Sequence, residues 1–305
     1  MNARELELYN NLSALVTTNE AFYYQDFNLD SKTYRIFNYR LASYTNFLAP
    51  DAKECRGIMF ELDEAGNLYR LACRPMEKFW NYLECPDTMN LDLSQVVDIE
   101  LKVDGSLISS YMHNGELRLK SKGSLFSQQA LDAIAWLNRT ENEVLYALLR
   151  QTTIQGYTVN LEWISPTNRI VVGYLNDELK VLNVRHTIDG SYLSYNQLGV
   201  QRFPIFGSGD LSASFNQLGE LRFPIFGSGD LSASLCDYWT DRIEVTDPIS
   251  FVASIPDMTN DIEGYVLLMS SGQRMKIKTK KYLALHHTKD SINSKRRLLD
   301  RKSVV

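Results

Sequence analysis

The sequence predicts an α+β fold in which antiparallel β-sheets are flanked by helices. Three observations carry that prediction: short apolar strands recur as hairpins closed by tight turns; two stretches repeat apolar residues at helical spacing; strands and helices do not alternate in the βαβ order of a parallel sheet.

Taken in order, residues 3–17 (ARELELYNNLSALVT) place Leu6, Leu8, Leu12, Leu15 and Val16 at helical spacing. The first hairpin is LISSYM–HNGE–LRLKS, whose Asn114-Gly115 favours the positive φ values of a tight two-residue turn. Residues 127–150 form a second helix. Ser127 is its N-cap, Ala130, Ile134, Leu137, Val144, Leu145 and Leu148 form its apolar face, and an interruption falls near Asn138–Asn142. YTVNLEWI at 157–164 reads as a strand, RIVVGYL–ND–ELKVLNVR as a second hairpin, and EGYVLLM–SSGQ–RMKIK as a third.

Composition narrows the function classes. The chain has 305 residues, enough for one large domain or two small ones, and its net charge of −5 does not suggest a general nucleic-acid binder. The charge is uneven, however: residues 274–302 are strongly basic, as either a phosphate-binding surface or a solvated helix face and tail. No apolar run reaches the ~20 residues of a membrane span. The N-terminus has no basic-then-apolar leader, and Cys55, Cys73, Cys85 and Cys236 show no CxxC spacing. These features predict a cytoplasmic chain without disulfides, zinc or membrane contact. The pair His286-His287 is adjacent in sequence, so it does not share a helix face and reads as no metal site.

Residues 196–214 and 216–234 are near-identical copies that differ only at positions 200/220 and 201/221. Two copies are too few for a solenoid, so this reads as a duplicated surface insertion at 196–234.

The sharpest chemical motif is Lys102-Val103-Asp104-Gly105, directly after the apolar-rich VVDIEL. A lysine that attacks a phosphorus atom must be neutral, and neighbouring cations favour that form while neutralising phosphate oxygens. Lys276 and Lys278 stand two apart on a strand and so share a face. Lys122 ends the hairpin that begins just after Lys102, which would bring it back toward the nucleophile's end of the sheet. Glu162 and Glu263 lie within or beside apolar strands, where a carboxylate needs a partner or a task. Read singly, each residue has a plainer alternative. Arg56 also suits a surface ion pair, and Lys78 a snorkelling lysine beside Phe79 and Trp80. Glu162 and Glu263 suit edge-strand charges, Leu182 and Val266 a core, and Asp104 a turn.

The ordered set KVDG, SKGS, NLEWI, KVLNVR, IEGYV and MKIK resembles the covalent nucleotidyltransferases, that is, polynucleotide ligases and capping enzymes. TYRIFNYRLASY, ECRGIMFELD, RPMEKFWN, SPTNRIV and LHHTK narrow the likeness to the phage RNA ligase 1 family, which repairs broken tRNA anticodon loops. The similarity runs to about residue 290, apart from the duplication. It implies a ligase-type nucleotidyltransferase (ATP-grasp-like) domain over residues 1–285, with 286–305 as a basic tail where the family has a helical C-terminal domain. It implies that Lys102 is the nucleophile adenylated by ATP, and that Arg56 and Lys78, with Tyr39 nearby, hold the β- and γ-phosphates. Lys122, Lys276 and Lys278 would surround the α-phosphate, with Tyr282 assisting and Asp104-Gly105 shaping the nucleophile's turn. Glu162 would contact the ribose and, with Glu263, the metal region, while Leu182 and Val266 would sandwich the adenine. Mg2+, with Mn2+ as substitute, is the implied ion. RNA with 5′-phosphate and 3′-hydroxyl ends, tRNA above all, is the implied substrate, and a polynucleotide kinase-phosphatase the implied functional partner. A DNA ligase, a GTP-using capping enzyme and a non-ligating RNA-binding remnant remain as alternatives.

Overall fold

A computed structural model of the chain describes residues 2–200, 203–204, 214–215, 221–222 and 232–289. Most of the duplicated segment at 196–234, and the basic tail from 290 onward, lie outside the described residues. The chain divides into two compact units. Unit 1 comprises Met1–Lys78, Ser106–Trp163 and Leu179–Trp239; unit 2 comprises Phe79–Gly105, Ile164–Glu178 and Thr240–Val305.

Unit 1 opens with helix α1, Ala3–Thr18. Its N-cap is reciprocal: the Asn2 side chain accepts from the Arg4 amide, and Glu5 accepts from the Asn2 amide. Strands β1 (Phe22–Leu29), β2 (Lys32–Tyr39), β3 (Ile58–Leu62) and β4 (Leu68–Cys73) follow as an antiparallel sheet in that order. The β1–β2 turn is tight because Asp30 and Ser31 both take positive φ, 45° and 63°.

The second sheet of unit 1 has the order β11-β10-β9-β7-β8. Its strands are β7 (Ser106–His113), β8 (Glu116–Ser121), β9 (Tyr157–Ile164), β10 (Glu178–His186) and β11 (Tyr192–Leu193). The Asn114-Gly115 turn of the β7–β8 hairpin forms as the sequence predicts, with φ of 50° and 81°. Helices Gln128–Leu137 and Glu143–Ile154 cover one face of this sheet. The Ser127 side chain caps the first of them, and the break falls at residues 138–142, where the spacing places it. Ala130, Ala133, Leu137, Leu145, Leu148 and Leu149 pack there against Ile108, Val159, Leu161 and Trp163. Full burial of each aliphatic side chain contributes roughly 1.5–3 kcal/mol. Alternation turns Thr158, Asn160 and Glu162 to the opposite face. Residues 203–204 pair with 232–233 and residues 214–215 with 221–222.

Unit 2 is built on a sheet of β5 (Trp80–Asn81), Arg274–Lys278, Gly264–Met269 and β6 (Val96–Lys102), in that spatial order. The last three strands are antiparallel, and Trp80–Asn81 runs parallel to Arg274–Lys278. One face buries Ile99, Tyr265, Leu267, Met269, Met275 and Ile277 against Val252 and Ile255. The other face therefore presents Glu100, Lys102, Val266, Lys276 and Lys278. Residues 280–289 are helical.

The predicted second hairpin does not form. ELKVLNVR is a strand, but residues 169–175 are an irregular loop of unit 2. The reason is a competing acceptor: the amides of Val171 and Val172 both donate to the Asp104 carboxylate, at 2.7 Å each, instead of to a strand ladder. The sequence-based placement of Lys122 also needs correction. Lys102 ends a strand of the unit 2 sheet, whereas Lys122 follows a strand of the second unit 1 sheet, so the two do not share a sheet.

Candidate active site

In unit 2 the strand register sets Gly264 opposite both Lys102 and Lys278. The two lysines thus leave the sheet on one face, from strands about 10 Å apart with one strand between them. Their ammonium groups converge on Glu263. Lys102 Nζ lies 2.7 Å from Oε2, and Lys278 Nζ lies 2.9 Å from Oε1. Glu263 is 4% exposed while each lysine keeps 22%, so the carboxylate is the buried member of the group and is satisfied by two cations. Gly264 has φ of 150°, and a Cβ there would collide with the carbonyl oxygen of Ile277. The row therefore requires glycine between the lysines. One row further, Val266 stands opposite Glu100 and Lys276, and the Lys276 ammonium lies 5.5 Å from the centre of the Phe79 ring.

Asp104, two residues beyond Lys102, is 2% exposed. Its Oδ2 accepts from the Val171 and Val172 amides, and its Oδ1 accepts from the Tyr282 hydroxyl at 2.7 Å. Its own amide donates to the Tyr174 hydroxyl at 3.0 Å. Asp104 thus fastens the 169–175 loop and the helix of Tyr282 to the turn that follows the nucleophile candidate. The ring of Tyr282 lies 4.9 Å from the Lys278 ammonium. Lys289 holds the same loop from the other end of that helix, through the carbonyls of Arg169 and Ile170.

Unit 1 gathers a second group of cations. The Lys122 and Lys78 ammoniums lie 5.1 Å and 5.7 Å from the centre of the Tyr39 ring, and Tyr39 packs edge-on against Phe47. Burial first, and then the positive charges of Arg56 and Lys78, hold the Lys122 amine below the ordinary lysine pKa. Arg56 and Lys122 are brought together by backbone contact. Gly57 has φ of 93°, and a Cβ on it would come within 2.6 Å of the Lys122 carbonyl oxygen. Asn38 Nδ2 donates to that same oxygen at 3.0 Å. Lys120, fully buried, donates to the Gly57 carbonyl at 2.8 Å and to the Ser121 carbonyl at 2.9 Å. Burial pushes its amine down to about 8.

Unit 1 also holds a buried ion network that the sequence reading did not single out. Arg185 grips Glu54 with both terminal nitrogens, at 2.8 Å and 2.7 Å, and Arg74 adds a third contact at 2.8 Å. Burial alone would raise the Glu54 carboxyl, but Arg185 and Arg74 outweigh it and hold the group below its usual range. All three residues stand inside quoted motifs, ECRGIMF, KVLNVR and RPMEKFW. Arg185 alone carried a signal, a charge set among apolar strand positions, which requires a partner.

The structure thus gathers Lys102, Glu263, Lys278 and, on the same face, Lys276 and Val266 in unit 2; it gathers Tyr39, Arg56, Lys78 and Lys122 in unit 1. Tyr282 and Asp104 bond to each other, and Gly105 follows Asp104 in the turn. Glu162 lies half-buried on β9, opposite Leu107, and Leu182 half-buried on β10. Among the described residues no group of three or more His, Cys, Asp or Glu could hold a metal ion. None of the four cysteines forms a disulfide, and no described helix is long and apolar enough to cross a membrane.

Comparison with known proteins gives a consistent result. The sequence profile of a family described as RNA ligase matches residues 54–282, well over half the chain. The match begins at Glu54 of the buried network and ends at Tyr282. A Thermovibrio ammonificans protein named "Putative RNA ligase" is 29% identical over 157 residues, covering 51% of this chain and 40% of that protein. "RNA ligase 1" of bacteriophage TS2126 is 29% identical over 155 residues, covering 48% and 38%. The chain therefore spans about two-fifths of the length of these curated relatives. Among solved structures, an archaeal ATP-dependent RNA ligase superposes with a TM-score of 0.51 at 11% identity, covering 90% of this chain and 62% of that one. That likeness bears on the fold, a nucleotidyltransferase fold with antiparallel sheets and helices.

Proposed function

Because the chain belongs to the RNA ligase family, we propose that it is an ATP-dependent RNA ligase working through a lysyl-AMP on Lys102. The observation that supports this most is the Lys102–Glu263–Lys278 group, a lysine poised at a strand end with a carboxylate and a second cation in reach. In the first step the Lys102 amine bonds to the α-phosphorus of ATP and pyrophosphate leaves. An attacking amine gives up a proton, and the Glu263 carboxylate at 2.7 Å is the acceptor in reach. In the second step a 5′-phosphate oxygen of RNA takes the AMP, breaking the Lys102–phosphorus bond. In the third the RNA 3′-hydroxyl attacks that activated phosphate, and AMP leaves. All three are phosphoryl transfers, in which positioning and charge neutralisation dominate.

The side chains take the following roles. Arg56 and Lys78 bind the β- and γ-phosphates, with Tyr39 shaping their surroundings. Lys122, Lys276 and Lys278 neutralise the α-phosphate, while Tyr282 and Asp104-Gly105 fix the local frame. Glu162 binds the ribose, and Leu182 and Val266 flank the adenine. The donor set fits a divalent ion only where phosphate oxygens supply most ligands, which is the usual habit of Mg2+, with Glu162 and Glu263 contributing single carboxylates. The ion, Mg2+ or Mn2+, would offset triphosphate charge. The acceptor is RNA bearing 5′-phosphate and 3′-hydroxyl ends, with broken tRNA the substrate and a polynucleotide kinase-phosphatase the enzyme that prepares such ends.

The test is transfer of label. With [α-32P]ATP and Mg2+ the protein becomes labelled, and a 5′-phosphorylated RNA oligonucleotide discharges the label far faster than the DNA of the same sequence. Equal discharge by DNA, or labelling by GTP in preference to ATP, would contradict the RNA ligase assignment.

A further inference from the structure

We infer that Arg185 is a positioning residue that sets the spacing of Arg56 and Lys78, an inference that rests on the nucleotidyl-transfer reading above. The two cations sit on irregular segments of unit 1. Arg56 lies just before β3 and Lys78 five residues after β4 ends. The sheet ladder therefore does not fix their distance.

Arg185 does so from β10. Its guanidinium spends five donor contacts on these segments and on one loop. Nη1 donates to Glu54 Oε2 and to the Pro75 carbonyl, both at 2.8 Å. Nη2 donates to Glu54 Oε1 at 2.7 Å and to Glu77 Oε2 at 2.8 Å, and Nε donates to the Gly190 carbonyl at 2.9 Å. Glu54 stands two residues before Arg56, and Glu77 one residue before Lys78. One side chain thus bonds both carboxylates that adjoin the two phosphate-binding candidates. Arg74 reinforces the link, bonding Glu54 at 2.8 Å and the Ile188 carbonyl at 2.6 Å. The two segments also touch directly, through the Lys78 amide on the Lys53 carbonyl at 2.8 Å and Arg56 Nη1 on the Met76 carbonyl at 3.3 Å.

The network's chemistry argues for placement over stability. Ion groups this deep are often replaceable by apolar residues at no loss of stability, whereas their geometry is exacting. Arg56, Lys78 and Lys122 carry like charges close enough to depress Lys122. Such a group drifts apart unless the backbone beneath it is held. Arg185 holds that backbone through the two carboxylates that adjoin the cations in the chain. Lysine cannot reproduce a planar fork of five donors.

The experiment uses the full chain and Arg185→Lys, with three readouts: KM for ATP in adenylation, inhibition by pyrophosphate, and affinity for AMP. Pyrophosphate carries the β- and γ-phosphates alone, and AMP lacks both. Positioning predicts that KM for ATP and the inhibition constant of pyrophosphate each rise about tenfold, while AMP affinity stays within about twofold. A parallel loss of AMP affinity, or no change in pyrophosphate inhibition, would overturn the inference. Should Arg185→Lys not fold, Glu77→Gln is read the same way, since it leaves the Arg185–Glu54 pair intact and alters only the bond beside Lys78. It is expected to raise the same two constants about threefold, and unchanged constants would overturn the inference. An unmodified chain that forms no adenylate takes down the ligase reading together with this one. An unmodified chain that does, paired with unaffected variants, contradicts the positioning role alone.

Discussion

Lys102 and Lys278 share one buried carboxylate, whereas Lys78 and Lys122 lie about one tyrosine ring, and burial, followed by the charges of Arg56 and Lys78, holds the Lys122 amine down. In the first group a carboxylate sits within hydrogen-bond distance of both cations; the second accumulates positive charge, and its segments are tied by a separate ion network. The difference fits two tasks. A nucleophile must shed a proton to a close acceptor, while a phosphate site must present cations to an incoming anion. The supports differ in kind as well. Unit 2 uses sheet register, with Gly264 between the two lysines, and unit 1 uses side-chain ion pairs between irregular segments.

The comparison breaks most severely at Gly264. Gly264→Ala places a Cβ against the Ile277 carbonyl in the strand between the lysines. Stability measured by urea melts should fall by about 3 kcal/mol, with adenylation lost more than about a hundredfold. Retention of both would show that the row tolerates a side chain. Glu263→Gln is next. It leaves two ammoniums without their shared carboxylate, so single-turnover adenylation should drop about a hundredfold and stability by about 2 kcal/mol. Near-normal single-turnover rates would remove Glu263 from proton acceptance.

In unit 1 the test is acid. Glu54 has a folded-state pKa below its unfolded value, so between those values the native state binds fewer protons than the unfolded chain. The stabilisation it brings is whole above the unfolded value of about 4.5 and is lost as pH falls through the folded one. The stability gap between the unmodified protein and Glu54→Gln should therefore be widest at neutral pH and narrow steadily below about pH 4.5 in urea melts. A gap independent of pH would mean that Glu54 is not ionised in the fold. The smallest effect is electrostatic. Lys78→Met removes one of the charges that hold Lys122 down, so the Lys122 amine should titrate at higher pH in an NMR experiment, and KM for ATP should rise about tenfold. An unmoved Lys122 titration would uncouple the two lysines.

Sequence patterning made much of this architecture legible, because the signals were local. Helical spacing located α1, and Asn114-Gly115 located the β7–β8 turn. Polar residues 138–142 located the break between two helices. Period-two spacing put Lys276 and Lys278 on one face. What escaped was non-local. Residues 169–175 carry strand-forming side chains, but Asp104, 67 and 68 residues from its partners, captures their amides. Arg185 and Glu54 are 131 residues apart, and no spacing rule joins them. Lys122 was assigned to the sheet of Lys102 because the chain leaves one sheet for another between Lys102 and Ser106, at a turn that strand patterning does not register.

Covalent adenylation of Lys102 is read by intact-protein mass spectrometry with peptide mapping after incubation with ATP and Mg2+. One AMP per chain is expected, mapped to Lys102 and absent from Lys102→Ala. An adduct on another lysine, a normal adduct on Lys102→Ala, or no adduct on a folded protein shown to be free of prior AMP would contradict it.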